Sequence, residues 1–189
     1  MRMSRLALAA LAALALAQGT PAAAQERSAP NSIFAEGLGP GLLYSINIER
    51  VFADDFGLRA GFSYMSFTAG LSSSTGGTVS SASVGWFSVP VVATYLGLRS
   101  GNNILELGAG GIYTHASGSA TGGGMLATRA GDVLWGTAVL GYRRQPLNGG
   151  FMFRVGVSAL AGKGLGFDAK DPEKAGVVPW PYLSLGASF

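Results

Sequence analysis

Residues 41–64 read GLLYSINIERVFADDFGLRAGFSY. Leu42, Tyr44, Ile46 and Ile48 alternate with Ser45, Asn47 and Glu49. After the break Ala53-Asp54-Asp55, Leu58, Ala60, Phe62 and Tyr64 alternate with Arg59, Gly61 and Ser63. A hydrophobic period of two over two successive runs is the mark of a β-hairpin with one apolar and one polar face.

The same period continues outward along the chain. It gives seven strands, at 41–50, 56–68, 83–96, 103–115, 131–144, 150–162 and 178–189, and no helix after residue 25. The links alternate between short ones (near 51–55, 97–102 and 145–149) and long ones rich in Gly, Ser and Thr (near 69–82, 116–129 and 163–177). Short turns at one end and long loops at the other are the asymmetry of a transmembrane barrel of the outer-membrane type. If the last strand ends at the short-turn side, Gly41 lies at the long-loop end. One more strand is then needed before it, and residues 32–38 supply it, turning at Gly39-Pro40-Gly41; the alternative is one long, kinked first strand. The expected fold is an all-β, antiparallel up-and-down transmembrane barrel of eight strands.

Composition agrees with that reading and excludes others. The 189 residues are 48% hydrophobic and only 12% charged, about half the roughly 25% usual in a soluble domain. There is no cysteine and one histidine, His115, so thiol chemistry, disulfides and a histidine-rich metal site are excluded. Residues 1–24 have the form of a secretory signal peptide: Arg2 and Arg5, an apolar run from Leu6 to Ala17, and Ala22-Ala23-Ala24 before Gln25. That run is too short to span a bilayer as a helix. The barrel domain is then 25–189. The formal charge of +3 falls to +1 once Arg2 and Arg5 are removed, which gives no reason to expect a nucleic-acid partner.

Alternation alone does not say which face is wet. A soluble lipid-carrying barrel puts its apolar face inside, whereas a membrane barrel turns it outside. The polar face here is mostly Gly, Ser and Asn with few charges, unlike a solvated surface. Tyr64, Phe87 and Tyr113 lie toward the long loops, and Tyr95, Tyr142, Phe151, Phe153 and Phe189 toward the short turns. Two aromatic belts favour the membrane barrel. Pro90, Val92 and Leu96 depart from the pattern by falling on the inner face. Glu49, Arg59, Glu106, Arg143 and Arg154 also fall on that face, each close to a short turn, and form one charged layer at the periplasmic end of the lumen. Such a layer reads as a gate, or as internal packing in which each charge is paired.

Together GPGLLYSINIER, FGLRAGFSY, FSVPVVATYLG, ILELGAGG, LGYRRQP, GFMFRVGVSAL and PYLSLGASF resemble the small eight-stranded bacterial outer-membrane barrels. Those include the membrane-spanning part of outer-membrane protein A and many uncharacterised barrels. The resemblance implies an outer-membrane location, surrounding lipids and lipopolysaccharide, and delivery by the barrel assembly machinery. The alternating Leu183, Leu185, Ala187 and terminal Phe189 are similar to the C-terminal signal that this machinery reads. No cofactor or metal is implied.

One pair of residues invites an enzymatic reading. His115-Ala116-Ser117 is similar to the His-x-Ser pair of lipid A deacylases, and residues two apart on a strand share a face. The asparagine that follows the serine in those enzymes is Gly118 here, and the next strand offers Asp132 rather than a glutamate. The Gly37-x-Gly39-x-Gly41 and Gly108-x-Gly110-Gly111 spacings are strand and turn glycines, since no helix follows them. The acidic stretch Asp168–Lys174 lacks the ligand spacing of a calcium loop. The reading reached is a monomeric barrel with a side-chain-filled lumen and a structural or surface-interaction role. A narrow solute pore and a lipid A-modifying enzyme stand as alternatives.

Overall fold

The computed structural model describes residues 27–70, 80–122, 125–165 and 174–189. The expected signal peptide and the acidic residues of the 168–174 stretch lie outside them. Eight antiparallel strands form one closed barrel in chain order: β1 (Asn31–Leu38), β2 (Tyr44–Phe52), β3 (Phe56–Gly70), β4 (Ser81–Ser100), β5 (Asn103–Gly122), β6 (Met125–Arg144), β7 (Gly150–Lys163) and β8 (Ala175–Ser188). Closure sets Ser32 opposite Ser188 and Leu38 opposite Tyr182. Beyond it, Asn31 and Phe189 exchange main-chain hydrogen bonds of 2.9 and 2.8 Å. A closed sheet has no edge, so every strand satisfies its backbone in lipid.

The barrel has the polarity of a membrane wall. Ile48 is 63% and Leu134 75% exposed on the outer face, whereas Arg59 and Arg154 are 1% and 0% exposed within. Rings meet along both rims of the apolar band: Phe62, Phe87 and Tyr113 above, Phe56 with Tyr95 and Tyr142 with Phe153 below. The inward Leu96 packs with Val51 and Ile104, and Val92 with Val139 and Tyr182. These apolar residues fill the lumen around its charges.

The strands differ greatly in length. β4, β5 and β6 have 20 residues each, whereas β1 and β2 have 8 and 9. A tilted crossing needs only about 9–11, so the taller strands rise well beyond the bilayer. The long link expected near 116–129 is therefore corrected: β5 continues to Gly122 and β6 resumes at Met125, paired throughout. The small Gly, Ser and Thr residues that suggest a loop pair well when extended. Cross-strand hydroxyls hold them, Ser83 to Ser119 at 2.8 Å and Ser81 to Thr121 at 2.6 Å. At the long-loop end, between the two short strands β1 and β2, Gly39–Gly41 forms one 3-10 turn whose three residues are all buried. Ser88 Oγ donates to the Gly41 carbonyl at 3.3 Å and Trp180 Nε1 to that of Leu42 at 2.8 Å. The β1–β2 connection thus tucks into the barrel mouth.

Two glycines make room for one large ring. Gly141 and Gly156 stand opposite each other on β6 and β7, and Tyr182 is the β8 partner of Gly156. A Cβ on Gly156 would clash with the Leu140 carbonyl oxygen and come within 2.7 Å of the Tyr182 hydroxyl. Gly156→Ala should therefore lower the temperature at which the folded, heat-modifiable band is lost on gels, by a stability cost of about 1–3 kcal/mol. Gly136→Ala, whose Cβ would find its nearest neighbour at 3.7 Å, should leave that temperature unchanged.

Candidate functional site

Inward-facing positions on six strands carry charges that meet in the lumen. Arg59 on β3 lies 2.9 Å from Glu36 on β1, and the same Glu36 oxygen lies 3.2 Å from Arg154 on β7. Arg154 also grips Glu106 of β5 in a bidentate pair, with Nε donating to Oε2 at 2.8 Å and Nη2 to Oε1. Arg143 on β6 reaches Glu106 at 3.7 Å and Glu49 on β2 at 2.6 Å. The sequence of contacts is Arg59, Glu36, Arg154, Glu106, Arg143, Glu49. Its two ends stand opposite each other across β2 and β3, so the network runs round the whole lumen.

The other two strands supply hydroxyls. Thr94 of β4 donates to Glu49 at 2.9 Å, and Ser184 of β8 to Glu36 at 2.9 Å. The Arg154 guanidinium also lies over the rings of Phe34 and Tyr182, 4.6 and 5.3 Å from their centroids, a second favourable contact for a desolvated cation. All six charged side chains are buried. Three guanidiniums face three carboxylates, so the layer is neutral.

The five residues singled out in the sequence all belong to this network, and Glu36 is the member that reasoning from sequence missed. Its strand is short and carries Phe34 on the same inner face, which blurs the alternation. A signal was nevertheless present. Glu49 and Glu106 against Arg59, Arg143 and Arg154 leave one arginine unmatched, and a buried guanidinium requires a carboxylate.

Below the network, residues 27–30 cross the periplasmic mouth. The Arg27 amide donates to Asp54 Oδ1 at 3.1 Å, the Ser28 and Ala29 amides both donate to the Leu147 carbonyl at 3.1 Å, and the Val51 amide donates to that of Pro30 at 2.8 Å. This strap ties the N-terminal segment to the β2–β3 and β6–β7 turns.

His115 lies at the extracellular rim on the outer face, not in the lumen. Its Nδ1 is 2.7 Å from Asp132 Oδ1, the oxygen to which the Tyr113 hydroxyl also donates at 2.7 Å, and its ring stacks on Phe87. The structure thus brings His115 to Asp132. Ser117 follows on the same face, opposite Ala130, and makes no hydrogen bond to His115. An acid orients the histidine, but no hydroxyl is engaged as a nucleophile would be. Among the described residues no three His, Cys, Asp or Glu side chains are grouped to hold a metal ion.

Neutralising one network acid leaves two guanidiniums short of a partner. Glu106→Gln should cost about 3–5 kcal/mol, the range for breaking a buried ion pair from one side. Urea unfolding of the refolded barrel in detergent measures it. The same change at the exposed Asp132 should have little effect.

No protein-family model matches the sequence, and no curated protein matches it. Solved structures do. The chain is similar in fold to Ail, the attachment invasion locus protein of Yersinia pestis, in its complex with the heparin analogue sucrose octasulfate, with a TM-score of 0.51 and 15% identity over 84% of this chain and 96% of that one. A second structure of Ail gives a TM-score of 0.46 and 16% identity over 85% and 97%. The fold is the eight-stranded barrel of bacterial outer-membrane proteins.

Proposed function

We propose that this protein is a closed, monomeric outer-membrane barrel that acts as a rigid platform for surface interaction and is not an enzyme. One observation carries the reading: the lumen is crossed by a neutral, fully buried network of three arginines and three glutamates. An interior of eight strands has room only for side chains, and ion pairs from six strands with hydroxyls from the other two leave no water path. Outer-membrane lipids and lipopolysaccharide surround the apolar band. The barrel assembly machinery reads the C-terminal strand, where Leu183, Leu185, Ala187 and Phe189 all face outward.

Recognition belongs to the part of the wall that the bilayer does not need. Above the tucked β1–β2 turn, β3 to β6 rise as an extended sheet, whose lumen-side face carries Phe67 against Trp86 with ring centroids 5.9 Å apart. That a protein of the same fold is named for attachment and binds a heparin analogue supports a surface role.

Conductance in a planar lipid bilayer tests the platform reading. Refolded protein that shows heat-modifiable gel mobility should give no unitary steps, whereas the double variant Glu106→Ala/Arg143→Ala should open transient ones. Stable steps from the unaltered protein would make it a narrow solute pore. For the enzymatic alternative, lipid A from cells expressing the protein should be the same as lipid A from cells expressing His115→Ala/Ser117→Ala. A change that depends on these two residues would show acyl chemistry.

A further inference from the structure

The apolar wall of the barrel is not evenly filled. On the outer face of β3, Ala60 stands opposite Ile48 of β2 and Val91 of β4, and Leu58 lies two residues below it on the same face. Ile48, Leu58 and Val91 are all large and exposed, so the alanine among them leaves a depression. The result is an open groove of about 430 Å³, floored by Ala60 and reaching past Phe189 to Asn31 and Arg50. That volume lies within the range of small-ligand pockets.

Arg50 stands at the periplasmic end of this groove. It lies between Asn31 and Leu58 in the sheet and points outward, with its guanidinium 5.8 Å from the centroid of the Phe52 ring. Nη1 donates to Asn31 Oδ1 at 3.0 Å. Among the described residues no carboxylate pairs with Arg50. Its neighbour Glu49 faces the lumen and is held by Arg143, and the terminal Phe189 accepts from the Asn31 amide at 2.9 Å. Asp54 and Asp55, in the turn that follows, engage the Arg27 amide and Arg99. Because Asn31 Oδ1 is an acceptor here, its Nδ2 is left as a donor beside the remaining N–H groups of the guanidinium. An arginine on the lipid face is tolerated near the membrane boundary and costly at the midplane, which places these donors at the level of the periplasmic headgroups.

We propose that Arg50 and the Ala60 groove form a binding site for one anionic glycerophospholipid of the periplasmic leaflet. The lipid phosphate accepts from the Arg50 guanidinium and the Asn31 amide, and one acyl chain lies along the groove. A guanidinium fork matches a pair of phosphate oxygens, and a cation with no carboxylate partner favours a lipid of net negative charge over a zwitterionic one. Lipopolysaccharide belongs to the opposite leaflet and does not reach this end of the wall. The proposal rests on the lipid-surrounded barrel proposed above and is independent of whether the lumen conducts.

The test is native mass spectrometry of the refolded mature barrel released from nanodiscs of equal dioleoylphosphatidylglycerol and dioleoylphosphatidylcholine. The unaltered protein should keep one phosphatidylglycerol. Arg50→Gln should lower its occupancy relative to phosphatidylcholine about tenfold, the scale of one charge-assisted hydrogen bond. Ala60→Leu, which fills the groove, should do the same. Both positions face lipid, so heat-modifiable gel mobility should survive in each variant. Arg144→Gln, on the outer wall of β6 across the barrel, should keep the bound lipid. Equal retention of the two lipids by the unaltered protein would overturn the site in favour of annular lipid only. So would a preference that survives in either groove variant, or one that Arg144→Gln removes equally. A protein that failed to enter nanodiscs at all would overturn the membrane-barrel reading together with the site.

Discussion

A guanidinium held away from water inside a barrel must meet a carboxylate, and that demand organises this molecule. The three network arginines come from β3, β6 and β7, and the three glutamates from β1, β2 and β5. Thr94 and Ser184 bring in β4 and β8. All eight strands therefore converge on one set of contacts, and the network forms only when every strand is in register. A slip of one residue would turn a charge from lumen to lipid, where an arginine or lysine near the midplane costs about 2–4 kcal/mol. The same contacts that cross the lumen also specify the pairing of the wall.

That double role bears on how the network should be understood. A gate needs two arrangements of comparable energy, and here Glu36 is shared between Arg59 and Arg154 while Glu106 is shared between Arg154 and Arg143. Moving any one guanidinium strips a partner from its neighbour, so the chain of pairs resists piecemeal opening. The rings of Phe34 and Tyr182 against Arg154, with Tyr182 seated over Gly141 and Gly156, add packing that a swinging arginine would have to displace. Rigidity suits a platform better than a valve.

Much of this was legible in the sequence because a barrel wall obeys a period of two. Tyr44, Ile46 and Ile48 against Ser45, Asn47 and Glu49 give the strand, the face and the membrane polarity at once. The short first strand, expected at 32–38, followed from counting, since a chain that starts and ends on one side needs an even number. What escaped has physical reasons. Glu36 lay on a strand too short for its alternation to stand out. Residues 116–122 and 125–128 are mostly small enough to read as a loop, and the backbone ladder between β5 and β6 makes them sheet. The strap at Arg27 has no period at all: its place is fixed by main-chain bonds to Asp54 and Leu147, which no local pattern records.

The unequal strand lengths carry the remaining functional argument. If spanning the membrane were the only requirement, twenty-residue strands would be wasteful, and an exposed sheet extension would sacrifice stability for nothing. β3 to β6 nevertheless continue together, paired to their tips and held by Ser–Ser and Ser–Thr contacts, while the β1–β2 turn is drawn down into the mouth. The result is a one-sided wall above a plugged barrel, with hydroxyls on its outer face and Phe67 and Trp86 on the face that looks across the mouth. An ordered sheet holds such side chains in fixed relative positions at low entropic cost, which a flexible loop does not. The filled lumen and the raised wall are thus parts of one design: the barrel supplies a rigid, register-locked base, and the extension presents a preformed surface on it.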